Sequence, residues 1–274
     1  MRSILFVPGN RKQRFQKACD SGADAYCIDL EDAVAAADKE EARNAALAHI
    51  VSTTPVNCCL RINSLSTKAG LEDVLGLSSF LENEGVLPAC IILPMIESAF
   101  EIRQLLHVLD YPPALKLIPM IETPQGLDNL PAMLEEGGGH IEAVAFGSAD
   151  YAASIGSDMS WDALLNARSS LVKAAAAYSV PCIDGPHFEI SDLEGLEEQA
   201  LRVNGLGFSG KLAIHPSQVK VINDVFSPSE EKLSWARDVI TAFEKAGGGV
   251  VSFDGMMIDQ PVIDQANRIL ASEK

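Results

Sequence analysis

CIILPMIES at residues 90–98 and LKLIPMIET at residues 115–123 decide how this chain reads. The apolar part of each is continuous rather than alternating, the signature of a strand buried on both faces of a parallel sheet. The endings match as well: LPMIES at 93–98 returns as IPMIET at 118–123, offset by 25 residues. Each copy closes its apolar run with a glutamate and then a helix-start residue, Ser98 or Thr123. A strand that hands over to a helix and then repeats is the βα unit. Six further runs extend the pattern in both directions: ILFV at 4–7, AYCIDL at 25–30, NCCLRI at 57–62, IEAVAF at 141–146, SVPCID at 179–184 and GKLAIH at 210–215. Helical patterns separate them, such as DKEEARNAALAHIV after Ala37 and SAFEIRQLLHVL after Glu97. Eight such units in roughly 220 residues predict an α/β fold, a (β/α)8 TIM barrel. A doubly wound sheet would call for GxGxxG or GxxxxGK[ST], and neither motif occurs.

The 274 residues suit one large domain or two small ones, and a single barrel reaches that size. A hydrophobic share of 47% with 22% charged residues is the mix of a folded globular protein, not of a disordered chain. The formal net charge of -17 would repel a phosphate backbone, so no nucleic acid partner is expected. At the N-terminus, MRSILFVPG has an apolar run that Pro8 interrupts, too short for a signal segment. No later run approaches the ~20 residues that span a bilayer. No membrane partner and a cytoplasmic location follow as expectations. The six cysteines include no CxxC pair and read as free thiols; adjacent Cys58 and Cys59 would point to opposite faces of their strand.

Beyond the eighth run, PSEEKLSWARDVITAFEKAGG at 228–248 reads as a helix with Pro228 near its start and Gly247 near its stop. VVSFDG and a last helix from about Pro261 complete a tail that a barrel does not need for closure. The expected division is a barrel over 1–226 and a C-terminal helical extension over 227–274.

Side chains at the C-terminal ends of barrel strands gather at one mouth. Here they are Asp29, Glu31, Asp32, Arg61, Asn63, Glu97, Glu122, Asp150, Asp184 and His215. So many carboxylates are costly together unless a cation neutralises them, and oxygen ligands favour a hard ion, Mg²⁺ or Mn²⁺. Taken singly, each acid could equally cap the helix that follows it. His215 is either a mouth residue or a structural hydrogen-bonder. The dense basic cluster RKQRFQK at 11–17 places Arg11, Arg14 and Lys17 on one helical stripe just after Gly9. That suits phosphate groups at a helix N-terminus, or else a solvated face. Asp259, in FDGMMIDQP at 253–261, sits among Met256, Met257, Ile258 and Pro261. It reads either as the N-cap of the last helix or as an acid placed for proton transfer.

In order along the chain, RSILFVPGNRKQRFQKA, DLEDAV, RIN, LPMIES, IPMIETPQG, AVAFGSADYAASIG, GKLAIHPSQ and DGMMIDQP resemble the citrate lyase beta-subunit-like branch of the HpcH/HpaI aldolase superfamily. The resemblance implies a (β/α)8 barrel, a Mg²⁺ cofactor, a homotrimer or hexamer, and carbon–carbon bond cleavage beside a thioester. It implies Glu122 and Asp150 as metal ligands, with Glu31 and Asp32 holding metal-bound water. It further implies Arg61 as the cation facing the reacting carbonyl, and Arg11, Arg14 and Lys17 near the coenzyme A phosphates. The MIDQP segment matches one that docks over a neighbouring subunit's barrel, which would make Asp259 a catalytic acid acting in trans. Many relatives carry lysine where this chain has Met95. The expected reaction is cleavage of a 3-hydroxy-acyl-CoA, citramalyl-CoA foremost, to acetyl-CoA and a 2-oxo acid, pyruvate. The alternatives are malyl-CoA cleavage, a citrate lyase beta subunit acting on a citryl thioester of an acyl-carrier protein, thioester hydrolysis, or a regulatory barrel without turnover.

Overall fold

The computed structural model describes residues 1–53, 57–245, 251–253 and 256–271. Two compact units divide the chain, Met1–Asn223 and Asp224–Lys274.

Eight parallel strands close a barrel in the first unit. They are β1 (Ser3–Pro8), β2 (Ala25–Asp29), β3 (Cys58–Arg61), β4 (Cys90–Leu93), β5 (Leu117–Ile121), β6 (Val144–Phe146), β7 (Cys182–Asp184) and β8 (Gly210–Ala213). Each lies within or against one of the apolar runs read from the sequence. β8 returns to β1, with Ile4 level with Leu212. The connections carry α1 (Phe15–Cys19), α2 (Lys39–Thr53), α3 (Lys68–Glu84), α4 (Ala99–Val108), α5 (Pro124–Gly137), α6 (Ser148–Ile155), α7 (Trp161–Ala176), α8 (Leu193–Leu206) and α9 (Pro216–Phe226). Thr67 Oγ1 accepts from the Gly70 amide and Thr123 Oγ1 from the Gly126 amide, capping α3 and α5. Ser98 and Glu101 form a capping box on α4.

A layer of inward-facing side chains fills the barrel, including Ile4, Cys27, Cys59, Ile92, Met120, Ala145, Ile183 and Leu212. The layer mixes small residues such as Cys27, Cys59 and Ala145 with larger ones such as Ile92, Met120 and Leu212. All six cysteines are free; Cys59 belongs to this inner layer, and Cys58, its neighbour on β3, is buried outside it.

In the second unit α10 (Glu230–Lys245) and α11 (Gln260–Ala271) bury Ala236, Val239, Ile263 and Ala266 together with Ile258. The start of α10 agrees with the Pro228 signal, and the expected stop at Gly247 lies outside the described residues. Two short strands, β9 (Val251–Phe253) and β10 (Met256–Ile258), pair antiparallel, an element the sequence reading did not separate. No helix among the described residues is long and apolar enough to cross a membrane.

Candidate active site

A cavity of about 480 Å³ opens at the C-terminal end of the barrel strands. Asp29, Asp32, Arg61, Glu122 and Asp150 line it, so five of the polar residues read from strand ends share one wall. Its floor is apolar, with Phe6, Met120 and Leu212 from the layer below the carboxylates. Pro186 and Phe188, from the loop after β7, form part of its rim.

Arg61 is the hub of the acidic side. It ends β3 directly level with Asp29 on β2. Its Nε and Nη2 donate to Asp29 Oδ1 and Oδ2 at 2.7 and 2.8 Å, a bidentate fork. Asp29 is fixed in turn by the amides of Glu31 and Ala33. The guanidinium also lies over the Phe6 ring, 5.1 Å from its centroid. Burial alone would lower the Arg61 pKa, but the hydrogen bonds and charge of Asp29 outweigh it and raise it. Asp29 engages only two of five N–H groups, so Arg61 stays a charged donor at the cavity wall.

Glu31 Oε2 lies 2.8 Å from Arg61 Nη1 as an ion pair, yet lacks the alignment of a hydrogen bond and is otherwise buried without a partner. Burial, opposed by Arg61 and reinforced by Asp32, Asp29 and Asp150, pushes its carboxyl up to about 7. Asp32 is mostly exposed, 3.8 Å from the same nitrogen.

Glu122 follows β5, and Asp150 lies in the first turn of α6 after the neighbouring strand β6. Glu122 is buried, and its Oε2 accepts the Met95 amide at 2.6 Å. Its Oε1 and both oxygens of Asp150 take no hydrogen bond from the described residues. Gly147 makes room for it: a Cβ there would stand 2.2 Å from Glu122 Cγ and 2.5 Å from Oε1. Burial first, and then the charge of Glu31, push the Glu122 carboxyl up to about 8. Met95 and Arg61 pull in the other direction.

Oxygens on Glu122 and Asp150 that take no hydrogen bond from the described residues, in a cavity whose described lining holds no histidine or cysteine, fit a hard divalent cation. Among the described residues no three His, Cys, Asp or Glu side chains form a ready ligand cage. Two carboxylates with water or substrate completing the shell is the ordinary manner of Mg²⁺ binding.

The two PMIE copies part company here. In β5, Pro119 and Met120 continue the strand and deliver Glu122 to the cavity. In the first copy β4 stops at Leu93, and Pro94–Met95 make a turn. Glu97 is carried aside, where its Oε1 accepts from Thr123 Oγ1 at 2.7 Å. It does not line the cavity.

Three other strand-end residues also serve elsewhere. Asn63 is tied to Asp73 Oδ2 and the Leu30 carbonyl. Asp184 is fully buried between Arg168 Nε at 2.8 Å and Lys211 Nζ at 2.6 Å. Burial would raise its pKa, but Lys211 and then Arg168 hold it below the usual carboxylate range. Lys211 also donates to the Gly185 carbonyl at 2.6 Å, bracing the loop that carries Pro186. This network went unread in the sequence, because nothing local to Arg168 or Lys211 marks them as partners of Asp184. His215 is exposed, with Nδ1 2.7 Å from Ser217 Oγ.

A second cavity of about 280 Å³ is lined by Arg14, Lys17 and His215. It shares Phe6, Pro8 and Ile214 with the first. Arg11, Arg14 and Lys17 are all exposed, and Arg11 is not part of the lining. The helical segment that starts here is short: Lys12–Arg14 form a 3-10 turn that runs into the five-residue α1. Any attraction for phosphate at this place therefore rests on side-chain charge rather than on a helix dipole.

Asp259 belongs to the second unit and directly precedes α11; its carbonyl accepts the Val262 and Ile263 amides at 3.1 and 3.2 Å. Its carboxylate, half-buried, takes no hydrogen bond from the described residues. Of its apolar neighbours, Ile258 is buried, and Met257 and Pro261 are exposed.

If Arg61 stabilises developing negative charge, Arg61→Lys keeps the charge and loses the planar fork. The expected loss in kcat is about 10²–10³-fold, the usual effect of removing one such donor. Steady-state kinetics on correctly folded Arg61→Lys protein would check this, and activity within about threefold of the native protein would refute the role.

The family model described as HpcH/HpaI aldolase/citrate lyase matches residues 2–216. Over 288 residues the chain is 36% identical to the mitochondrial citramalyl-CoA lyase of Homo sapiens, covering 97% of this chain and 83% of that protein. Over 308 residues it is 32% identical to the L-malyl-CoA/beta-methylmalyl-CoA lyase of Rhodobacter capsulatus, covering 98% and 93%. The crystal structure of CitE from Mycobacterium tuberculosis in complex with magnesium, acetoacetate and coenzyme A superposes with a TM-score of 0.81 at 31% identity, covering 99% of this chain and 97% of that one.

Proposed function

The chain belongs to the HpcH/HpaI aldolase/citrate lyase family, and from that premise we propose that it cleaves citramalyl-CoA to acetyl-CoA and pyruvate. It is a magnesium-dependent carbon–carbon lyase of acyl-CoA thioesters. The observation that carries the reading is the pair of carboxylates, Glu122 with its Oε1 and Asp150 with both oxygens free of hydrogen bonds from the described residues, on the same cavity as Arg61.

The bond that breaks joins the hydroxyl-bearing carbon to the methylene beside the thioester. The hydroxyl loses its proton and becomes the pyruvate carbonyl, while the methylene gains a proton and becomes the acetyl methyl. Bound Mg²⁺ supplies Lewis-acid polarisation of the hydroxyl and its adjacent carboxylate. Glu122 and Asp150 would hold it, and Glu31 and Asp32 would orient its water. Arg61 would meet the thioester oxygen and stabilise the enolate charge. Asp259 of a neighbouring subunit would deliver the proton to the methylene carbon. Arg14 and Lys17, with Arg11 beside them, would meet the coenzyme A phosphates, and the shared Phe6–Pro8 wall offers a path from them to the metal. A homotrimer or hexamer in the cytoplasm, with the 227–274 extension docked on a neighbour, completes the reading.

The malyl-CoA reading is favoured by the Rhodobacter relative. One methyl separates the two substrates, worth about 1–3 kcal/mol in an apolar pocket. Measuring kcat/KM for malyl-CoA and both citramalyl-CoA stereoisomers decides between them. One citramalyl-CoA isomer is expected to lead; a clear preference for malyl-CoA would overturn the substrate.

The raised carboxyls also tie metal binding to pH. Without metal, burial pushes the Glu122 carboxyl from its ordinary 4.5 up to about 8, so the fold favours its protonated form. That contribution to stability is complete below pH 4.5 and is lost as pH rises through about 8. Mg²⁺ needs the carboxylate, so the thermal shift it produces should be larger at pH 8.5 than at pH 6. Melting curves with and without Mg²⁺ at both values test this, and an equal or smaller shift at the higher pH would contradict it.

A further inference from the structure

We propose that Met95 positions the metal ligand Glu122 through its backbone, by holding a left-handed conformation that aims its amide at one carboxylate oxygen. The inference rests on the reading of Glu122 as a metal ligand and adds what makes that ligand single-sided.

Met95 has φ +50, a region that side-chain-bearing residues seldom occupy. The residue stands second in the Pro94–Met95 turn that ends β4. A turn with proline first and a positive φ second ordinarily takes Gly or Asn there. An unusual conformation that persists without either residue is held by its surroundings, and such positions cluster at functional sites.

What the conformation achieves is visible at Glu122. The Met95 amide donates to Glu122 Oε2 at 2.6 Å. This is the sole hydrogen bond the Glu122 carboxylate makes among the described residues, and it is short, as charge-assisted bonds are. Gly147 leaves the other oxygen clear, since a Cβ there would approach Oε1 to 2.5 Å. With Oε2 occupied, Oε1 is left as the donor that a cation would meet.

The surrounding residues lock the two loops together. Thr123 Oγ1 bonds Glu97 Oε1 at 2.7 Å, across from the β5 loop to the β4 loop. Gly126 passes so close that a Cβ there would stand 2.6 Å from the Ile96 carbonyl oxygen. The repeated PMIE motif thus has a division of labour: one copy supplies the ligand, and the other turns to supply the amide that orients it. The Met95 side chain is 39% exposed and takes no part in this bond. A backbone role therefore accommodates different side chains at this position, provided they tolerate positive φ.

The test reads Mg²⁺ affinity by isothermal titration calorimetry, with no substrate present. Replacing the residue 95 amide by an ester, through incorporation of the α-hydroxy analogue of methionine, removes the N–H and keeps the side chain. The expected result is a Kd for Mg²⁺ raised roughly 10- to 100-fold, the usual cost of losing a partner that orients a metal ligand. Met95→Val should do the same, since a β-branched residue resists this φ, whereas Met95→Gly should stay within about threefold of the native protein. Native-like affinity in the ester protein would overturn the inference, and so would Met95→Gly protein as weak as Met95→Val. If the native protein itself binds no Mg²⁺, the ligand reading of Glu122 falls and this inference falls with it. Tight native binding that the ester leaves unchanged sinks the positioning role alone.

Discussion

Glu122→Gln is expected to lower kcat/KM by roughly a thousandfold or more, with the fold intact. A bound cation is worth several kcal/mol of transition-state charge stabilisation, and each 1.36 kcal/mol is tenfold in rate. The substitution keeps the side chain's size, so the Gly147 cradle remains filled and the Met95 amide still finds an oxygen acceptor. It removes the negative charge, which is what binds the metal. Because the fold must bury that carboxylate, the mutant should be as stable as the metal-free native protein or more so. Two measurements separate ligand loss from misfolding: a Mg²⁺ titration, expected to show weakened binding, and a melting curve without metal, expected to show no loss. Near-native turnover would remove Glu122 from the metal site.

Asp259→Asn should leave folding and Mg²⁺ affinity nearly native and lower kcat by about 10²–10⁴-fold, the range for one general acid or base. Asp259 sits at the entrance to α11, and its helix-start hydrogen bonds from Val262 and Ile263 run to its backbone carbonyl, which asparagine retains. Asparagine is also as good at this position as aspartate. A purely structural Asp259 would therefore lose little of anything on this change. The in-trans role is tested by mixing Asp259→Asn protein with Glu122→Gln protein and allowing subunits to exchange. Sites that join an intact metal centre to an intact Asp259 from the neighbour should recover a fraction of the activity. Proven exchange with no recovery would return Asp259 to a helix start or a within-subunit acid.

The barrel was legible because its strands are buried on both faces, and continuous apolar runs such as CIIL report that directly. Run ends were less legible than run centres. The run IEAVAF begins at Ile141, yet β6 begins at Val144, because Ile141 makes only an isolated bridge to Leu117. The run CIILPMI continues past β4 because Pro94 and Met95 are apolar although they turn. No composition rule foretells that turn, since a left-handed methionine carries no sequence mark.

The same physics divides what could be read of the site. Strand-end position brought Asp29, Asp32, Arg61, Glu122 and Asp150 to one cavity, and that much follows from barrel topology alone. Asp184 has the same kind of position and a different fate, because Arg168 and Lys211 reach it from elsewhere in the chain. Glu97 repeats the Glu122 motif and is turned away from the cavity by its backbone. The basic cluster does open a helical segment, but the chain does not sustain it beyond Cys19, which its i, i+3, i+6 spacing could not foretell. For Asp259, proximity in sequence to the last helix is plain, while a role in another subunit is a matter of assembly.

Product analysis with purified protein tests the lyase reading most directly. In the presence of Mg²⁺, citramalyl-CoA should give pyruvate and acetyl-CoA in equal amounts, stop on addition of excess EDTA, and resume when Mg²⁺ is restored. Release of coenzyme A and citramalate without pyruvate, or undiminished pyruvate formation by metal-stripped protein, would contradict it.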